Sequence, residues 1–218
     1  MTPAQEHGVR RALAFAESLD HPSLVRCMGN WEDEDLIYIV EEYVNKGDVL
    51  NEAIAHPDKY GERFVALNVV RPLLSVLAYM HANDIIHRAI NPENVLVGLD
   101  DMVRLGHLTG ALDQHSDRPC SRMGLLDYMA PEMMAGRDYY DEKVDVWQVG
   151  CLVHELLCGS MPFEAPEKLL SCGLLLWADL DQPPNGLAPD CADFLQSALI
   201  KDPAKRASAA QLLLHPWV

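Results

Sequence analysis

Apolar positions recur along this chain of 218 residues with two different periods, and the alternation between them divides it into elements. Residues 3–19 set Val9, Leu13, Phe15, Ala16 and Leu19 among Arg10, Arg11 and Glu17, a helical spacing that Asp20-His21-Pro22 stops. Two short β-like runs come next, Ser23–Met28 and Leu36–Val40, with an acidic turn over Asn30–Asp35 between them. One helix and two strands of this size cannot enclose a core, so they must lean on the remainder of the chain.

After Asn45-Lys46-Gly47-Asp48 the pattern predicts a short helix and then a long one, from about Glu62 to Asn83, whose Phe64, Leu67, Val70, Leu74 and Leu77 form one apolar stripe. Pro72 lies inside it and predicts a bend, because proline removes a backbone donor at a cost of about 3 kcal/mol if nothing compensates. Residues 94–106 read as a hairpin, with Val95 and Val97 before the turn Gly98–Asp101 and Val103 and Leu105 after it. From Asp141, a candidate N-cap, the run Val144–Cys158 is apolar nearly all round and belongs at the centre of a core; Gly159 ends it. Ser208 and Gln211 form a capping box for a last helix that Pro216 stops. There is no internal repeat, no low-complexity tract and no linker between independent domains.

Composition adds limits. With 49% hydrophobic residues the chain can bury one large core or two modest ones. A formal charge of −16 sets it against nucleic acid and anionic membrane as partners, since both would repel such a surface. The six cysteines, Cys27, Cys120, Cys151, Cys158, Cys172 and Cys191, include no Cys-x-x-Cys pair and read as reduced thiols. No uninterrupted apolar run reaches the roughly 18–20 residues of a membrane span, and the first residues carry no charged-then-apolar leader. The expected location is cytoplasmic or nuclear.

The chemistry-bearing stretch is His87-Arg88-Ala89-Ile90-Asn91-Pro92-Glu93-Asn94, between the long helix and the hairpin. It stands in order with Gly124-Leu-Leu-Asp-Tyr-Met-Ala-Pro-Glu132, Asp141-Glu-Lys-Val-Asp-Val-Trp-Gln-Val-Gly150, Pro162-Phe-Glu-Ala165 and His215-Pro-Trp217. In these segments and their spacing the chain resembles a eukaryotic Ser/Thr protein kinase domain, most closely the Aurora kinases, from the helix called αC to the last helix. The fold this implies is α+β: a truncated N-lobe of helix αC and about two strands over residues 1–43, and a mainly helical C-lobe over residues 44–218, together one kinase-like domain. The family's Gly-rich loop and ATP-binding Lys strand would precede residue 1, and the αC position that pairs with that Lys falls on Ala12.

Against the same family pattern the catalytic positions are degenerate. Ala89 replaces the Asp that serves as base, a role generally worth roughly 10²–10⁴-fold, while Asn91 replaces the Lys two residues on and Leu125 the activation-segment Thr bonded to both. Replacing the whole hydrogen-bonded set is expected to leave no polar group unpaired. His107 stands for the metal-binding Asp, and an imidazole is a poor substitute for Mg²⁺, which prefers oxygen ligands. Asn94 matches the other metal ligand but is expected to hold the loop; no metal site is expected. Glu41 falls on the usually apolar gatekeeper position, where a carboxylate is costly unless water reaches it, and Leu96 on the floor under adenine.

Structural positions persist. By the resemblance, Glu132 and Arg206 form the ion pair anchoring the activation segment, Asp145 holds the backbone of the catalytic loop, and Arg88 and Ser121 match the family's arginine and activation-loop phosphosite. Two functional readings are open. The first is a pseudokinase-like protein-binding or scaffolding module that engages a protein through the C-lobe surface around αF, αG and the activation segment, with no cofactor. The second is an Aurora-like, ATP- and Mg-dependent Ser/Thr kinase represented by a chain that lacks its start.

Overall fold

The computed structural model describes residues 3–33, 36–135, 139–163 and 186–218. Glu164, Ala165 and Cys172 lie outside them, as does the stretch 164–185, where the family's αG would fall.

Helix α1, Pro3–Ser18, ends just ahead of the Asp20-His21-Pro22 stop. The next element departs from expectation, because the first strand is β1, Cys27–Glu32, and not Ser23–Met28. Residues 23–25 pair elsewhere: Leu105 N–H donates to Ser23 C=O and Val25 N–H to Leu105 C=O, each at 2.8 Å. That long-range pairing leaves the polar Asn30 and Glu32 to complete an antiparallel ladder with β2, Ile37–Glu41. The acidic turn is correspondingly shorter.

Asp48 caps the short helix α2, Val49–Ala55, its carboxylate accepting from Asn51 N–H at 2.9 Å. The long helix α3, Glu62–Ala82, contains a π-helical stretch, Val65–Val70, just before Pro72. There Arg71 N–H reaches Ala66 C=O, five residues back, so a widened turn precedes the proline. By length and apolarity α3 meets the measure of a membrane span, although its sequence contains no uninterrupted apolar run of that length. Its Val65, Val69, Leu73, Leu74, Leu77 and Met80 are buried in the core.

The short strand β3, Ile85–Ile86, leads into the His87–Asn94 loop. Beyond it β4, Val95–Val97, and β5, Val103–Leu105, form the expected hairpin, and β6, Leu112–Asp113, returns to pair with β3. A four-residue helix α4, Pro131–Met134, precedes the central helix α5, Lys143–Cys158. Every residue of α5 from Val144 to His154 is buried, and Gly159, at φ +68°, closes it in the left-handed conformation. Asp141 is not its N-cap: Glu142 takes that position with no side-chain cap, and Asp141 accepts from Lys143 N–H at 3.1 Å instead.

Helix α6, Pro189–Ala198, packs on α5 at Gly150, where a Cβ would lie 2.7 Å from a Leu199 methyl carbon. Helix α7, Ala209–Leu212, opens with both halves of the Ser208–Gln211 capping box. The result is a small N-terminal layer of α1 and the β1–β2 hairpin set on a larger, mainly helical body.

Candidate functional site

The loop 87–94 is held from below by α5. Asp145, fully buried, accepts Arg88 N–H at 2.7 Å and His87 N–H at 2.9 Å, and lies 2.9 Å from Nε2 of His81. Burial alone would raise its pKa. The His81 hydrogen bond, the nearby imidazoles and the His87 N–H outweigh burial and hold the carboxyl below its ordinary value.

One turn further along α5, Gln148 provides a second clamp that sequence reasoning missed. Its Oε1 accepts Ile90 N–H at 2.8 Å and its Nε2 donates to Arg88 C=O at 3.1 Å. The signal was present as a polar side chain in the middle of a helix apolar nearly all round, which has to find partners once buried.

These clamps hold Arg88 at φ +69°, a left-handed conformation that a non-glycine side chain adopts only under constraint. Its guanidinium donates to Gly110 C=O at 2.6 Å, to Ser121 Oγ at 2.9 Å and to the Tyr140 hydroxyl at 3.2 Å. Tyr140 in turn donates to Ser121 C=O at 2.7 Å, and Ser121 itself is exposed. His87 is buried, donates from Nε2 to Gly106 C=O at 2.9 Å and has its pKa lowered by burial.

At the centre of the loop, Ala89 presents a buried methyl group. Asn91 is also buried. Among the described residues its Nδ2 makes only a long contact with Ala89 C=O, 3.4 Å, and its Oδ1 has no hydrogen-bond partner. The expectation that the replaced set leaves nothing unpaired is therefore corrected: Leu125 is exposed, at 43%, and offers this amide no donor. Asn94 donates to Ala89 C=O at 2.8 Å, a bond that ties the ends of the loop together.

His107 sits at φ +65° with Nε2 2.8 Å from Thr109 Oγ1. Both line a cleft of about 360 Å³ between the N-terminal layer and the body. Its apolar walls include Ala12, Val25, Ile39 and Leu96, and its polar groups are Glu41, Glu93, Asn94, His107 and Thr109. Glu41 is exposed, so the desolvation cost foreseen for a carboxylate at this position does not arise. No three His, Cys, Asp or Glu side chains gather into a metal-binding group among the described residues. At the two positions matched to metal ligands, Asn94 and His107 offer one amide and one imidazole in place of the carboxylate oxygens Mg²⁺ prefers; the carboxylates of the lining, Glu41 and Glu93, stand at other positions.

Further from the cleft, Glu132 and Arg206 are both buried and form a bidentate pair at 2.6 and 3.1 Å. The same guanidinium donates to Lys143 C=O and Ile200 C=O, each at 2.8 Å, and lies over the Trp147 ring at 5.0 Å. An ion pair not anticipated from sequence, Arg11 with Asp117 at 2.6 Å, ties α1 to the segment after β6.

A two-layered fold of this order, with a loop before the β4–β5 hairpin clamped by a buried aspartate of the central helix, is that of a protein kinase. The chain belongs to that family: the family described as protein kinase domain matches residues 2–218. Among relatives, it is 33% identical over 214 residues to an Aurora kinase of Schizosaccharomyces pombe, covering 98% of this chain and 59% of that protein. It is 32% identical over 213 residues to Aurora kinase C of Mus musculus, covering 98% of this chain and 76% of the relative. Serine/threonine-protein kinase Aurora-2 of Arabidopsis thaliana is 32% identical over 214 residues, 98% of this chain and 74% of that one. The chain thus spans less than two thirds of the length of the Schizosaccharomyces pombe relative.

Proposed function

We propose that this kinase domain is catalytically inactive and serves as a protein-binding or scaffolding module. The carrying observation is a contrast within one loop: Asp145 and Gln148 fix the backbone of residues 87–90 with four hydrogen bonds, yet what they hold out is the methyl of Ala89. Nothing at that position can accept a proton from a substrate hydroxyl. The imidazole of His107, engaged with Thr109, supports the same reading at the position of the metal-binding carboxylate. Binding would use the helical body around α5 and the segment 107–132, in the cytoplasm or nucleus, with neither nucleic acid nor membrane as partner, in keeping with the charge of −16.

Incubation with radiolabelled ATP, Mg²⁺ and a basic Ser/Thr peptide is expected to give background incorporation, and Ala89→Asp is expected not to restore it. ATP with Mg²⁺ is expected to leave the melting temperature unchanged, since a ligand stabilises only as it occupies the native state. Turnover abolished by a change within residues 87–109 overturns this reading. The alternative is an Aurora-like Ser/Thr kinase activity, which the similarity to kinases named Aurora favours, and turnover in that assay would establish it.

A further inference from the structure

The outer face of the β1–β2 hairpin is apolar and uncovered, and its two ends carry opposite charges. We propose that it is a self-association surface, on which a second copy of this chain packs face to face with its strands reversed. Such a contact would form whether or not the domain transfers phosphate.

Alternation along the ladder sorts the side chains. Asn30 donates to Glu17 at 2.7 Å, Arg10 donates to Glu32 at 2.6 Å, and Ile39 and Glu41 line the cleft, so these positions face α1 and the body. The alternate positions, Trp31 on one strand and Leu36, Tyr38 and Val40 along the other, therefore face away. Trp31 and Leu36 are each 55% exposed and Val40 40%, and the Trp31 and Tyr38 rings stack at 4.7 Å. None of the four belongs to the hydrophobic core. Large exposed apolar side chains gathered on one face mark an interaction surface, as scattered ones do not.

The register points to the occupant. Trp31 stands beside Tyr38 and Gly29 beside Val40. At the turn end Asp33 is exposed and accepts Leu36 N–H at 2.9 Å and the Tyr38 hydroxyl at 3.0 Å. At the opposite end Glu42 N–H donates to Arg26 C=O at 2.9 Å, and the exposed Arg26 guanidinium has no carboxylate partner among the described residues. A twofold axis lying between two such faces, perpendicular to the strands, sets the turn end of each copy over the far end of the other. Asp33 then meets Arg26 of the second copy, Trp31 meets its Gly29, and Tyr38 meets its Val40. Opposite charges face each other twice, and each ring lies over a smaller residue. A Cβ built at Gly29 would have nothing within 4 Å, so the space over it is open to the incoming ring. The other twofold axis, along the strands, would set acidic turn beside acidic turn and so repel.

Residues 36–42 span about 20 Å at roughly 3.4 Å per residue, a small patch, and net charges of −16 oppose its closure. A weak dimer is expected, with a dissociation constant of roughly 10–100 µM.

The test is sedimentation velocity of the full chain at roughly physiological salt, from well below to well above about 100 µM. The expected result is a reversible dimer that Val40→Glu weakens at least about tenfold, because it sets a carboxylate against the apolar face of the second copy. Arg26→Glu and Asp33→Arg, each alone, are expected to weaken it about tenfold by opposing like charges, and their equimolar mixture to associate as tightly as the unaltered chain. Asp58→Asn, which removes an exposed carboxylate away from the hairpin, is expected to change nothing. Amide NMR spectra check that each variant keeps its hairpin; if Asp33→Arg displaces its own turn, Val40→Glu and Arg26→Glu decide. A chain that stays monomeric throughout, a dimer that survives Val40→Glu or Arg26→Glu, or folded charge variants whose mixture stays monomeric each overturns the proposal.

Discussion

Removing the carboxylate of Glu132 leaves the Arg206 guanidinium buried with backbone carbonyls and the Trp147 ring as partners but no counter-charge. Breaking such a pair typically costs about 3–5 kcal/mol. The urea midpoint of Glu132→Ala is therefore expected to fall well below that of Asn94→Ala, which loses one half-buried hydrogen bond worth about 1 kcal/mol. Equal midpoints would mean that the pair does not anchor the body. The buried His87 makes a different prediction. Burial lowers its pKa below the ordinary 6.5, so the unfolded chain binds a proton near pH 6.5 that the folded one refuses. Stability from this group is present above about pH 6.5 and is lost as pH falls below it. His21, lowered by partial burial, acts with the same sign. Urea midpoints are expected to drop between about pH 7.5 and pH 5.5, and to drop less in His87→Gln.

Among the elements, α5 organises the rest because its two ends and its middle do different work. Asp145 and Gln148 face the loop, and Gly150 lets α6 and the adjoining Leu199 come close. A Cβ at 150 would stand 2.7 and 2.8 Å from Leu199 carbons and 3.1 Å from the Ala198 Cβ, so neighbouring atoms must move. Overpacking of that kind costs about 1–3 kcal/mol, and Gly150→Ala is expected to be destabilising in a urea titration although alanine is the better helix former. A neutral or stabilising outcome would show that α6 shifts freely on α5. In α3 the π-helical stretch before Pro72 shows an element adjusting to a residue it cannot otherwise accommodate, as the widened turn changes the register of backbone acceptors ahead of the proline ring.

Across the whole molecule, the N-terminal layer is joined to the body by backbone as well as side chains. Leu105 pairs with residues 23–25, and Arg11 reaches Asp117. Such a layer has little core of its own, so it is expected to unfold with the body in one transition. The fluorescence change lost on Trp31→Phe, which reports the hairpin, should therefore share its urea midpoint with the helical circular dichroism signal. An earlier midpoint for Trp31 would show that the layer opens separately.

The helices and their caps were legible because their causes are local. Periodic apolar residues marked α1 and α5, Asp20-His21-Pro22 and Gly159 marked their ends, and Ser208 with Gln211 marked the start of α7. The motif spacing around His87–Asn94 also sufficed for the family. The features that residue order left open depended on partners distant along the chain. The register of β1 was decided by Leu105 claiming residues 23–25, and the use of Gln148 by the loop arriving above it. Whether Glu41 would be buried, and whether Asn91 would find a donor, depended on which groups the fold brought near each. A hydrogen-bond donor or a desolvating wall is a matter of distance in space, which residue order alone does not determine.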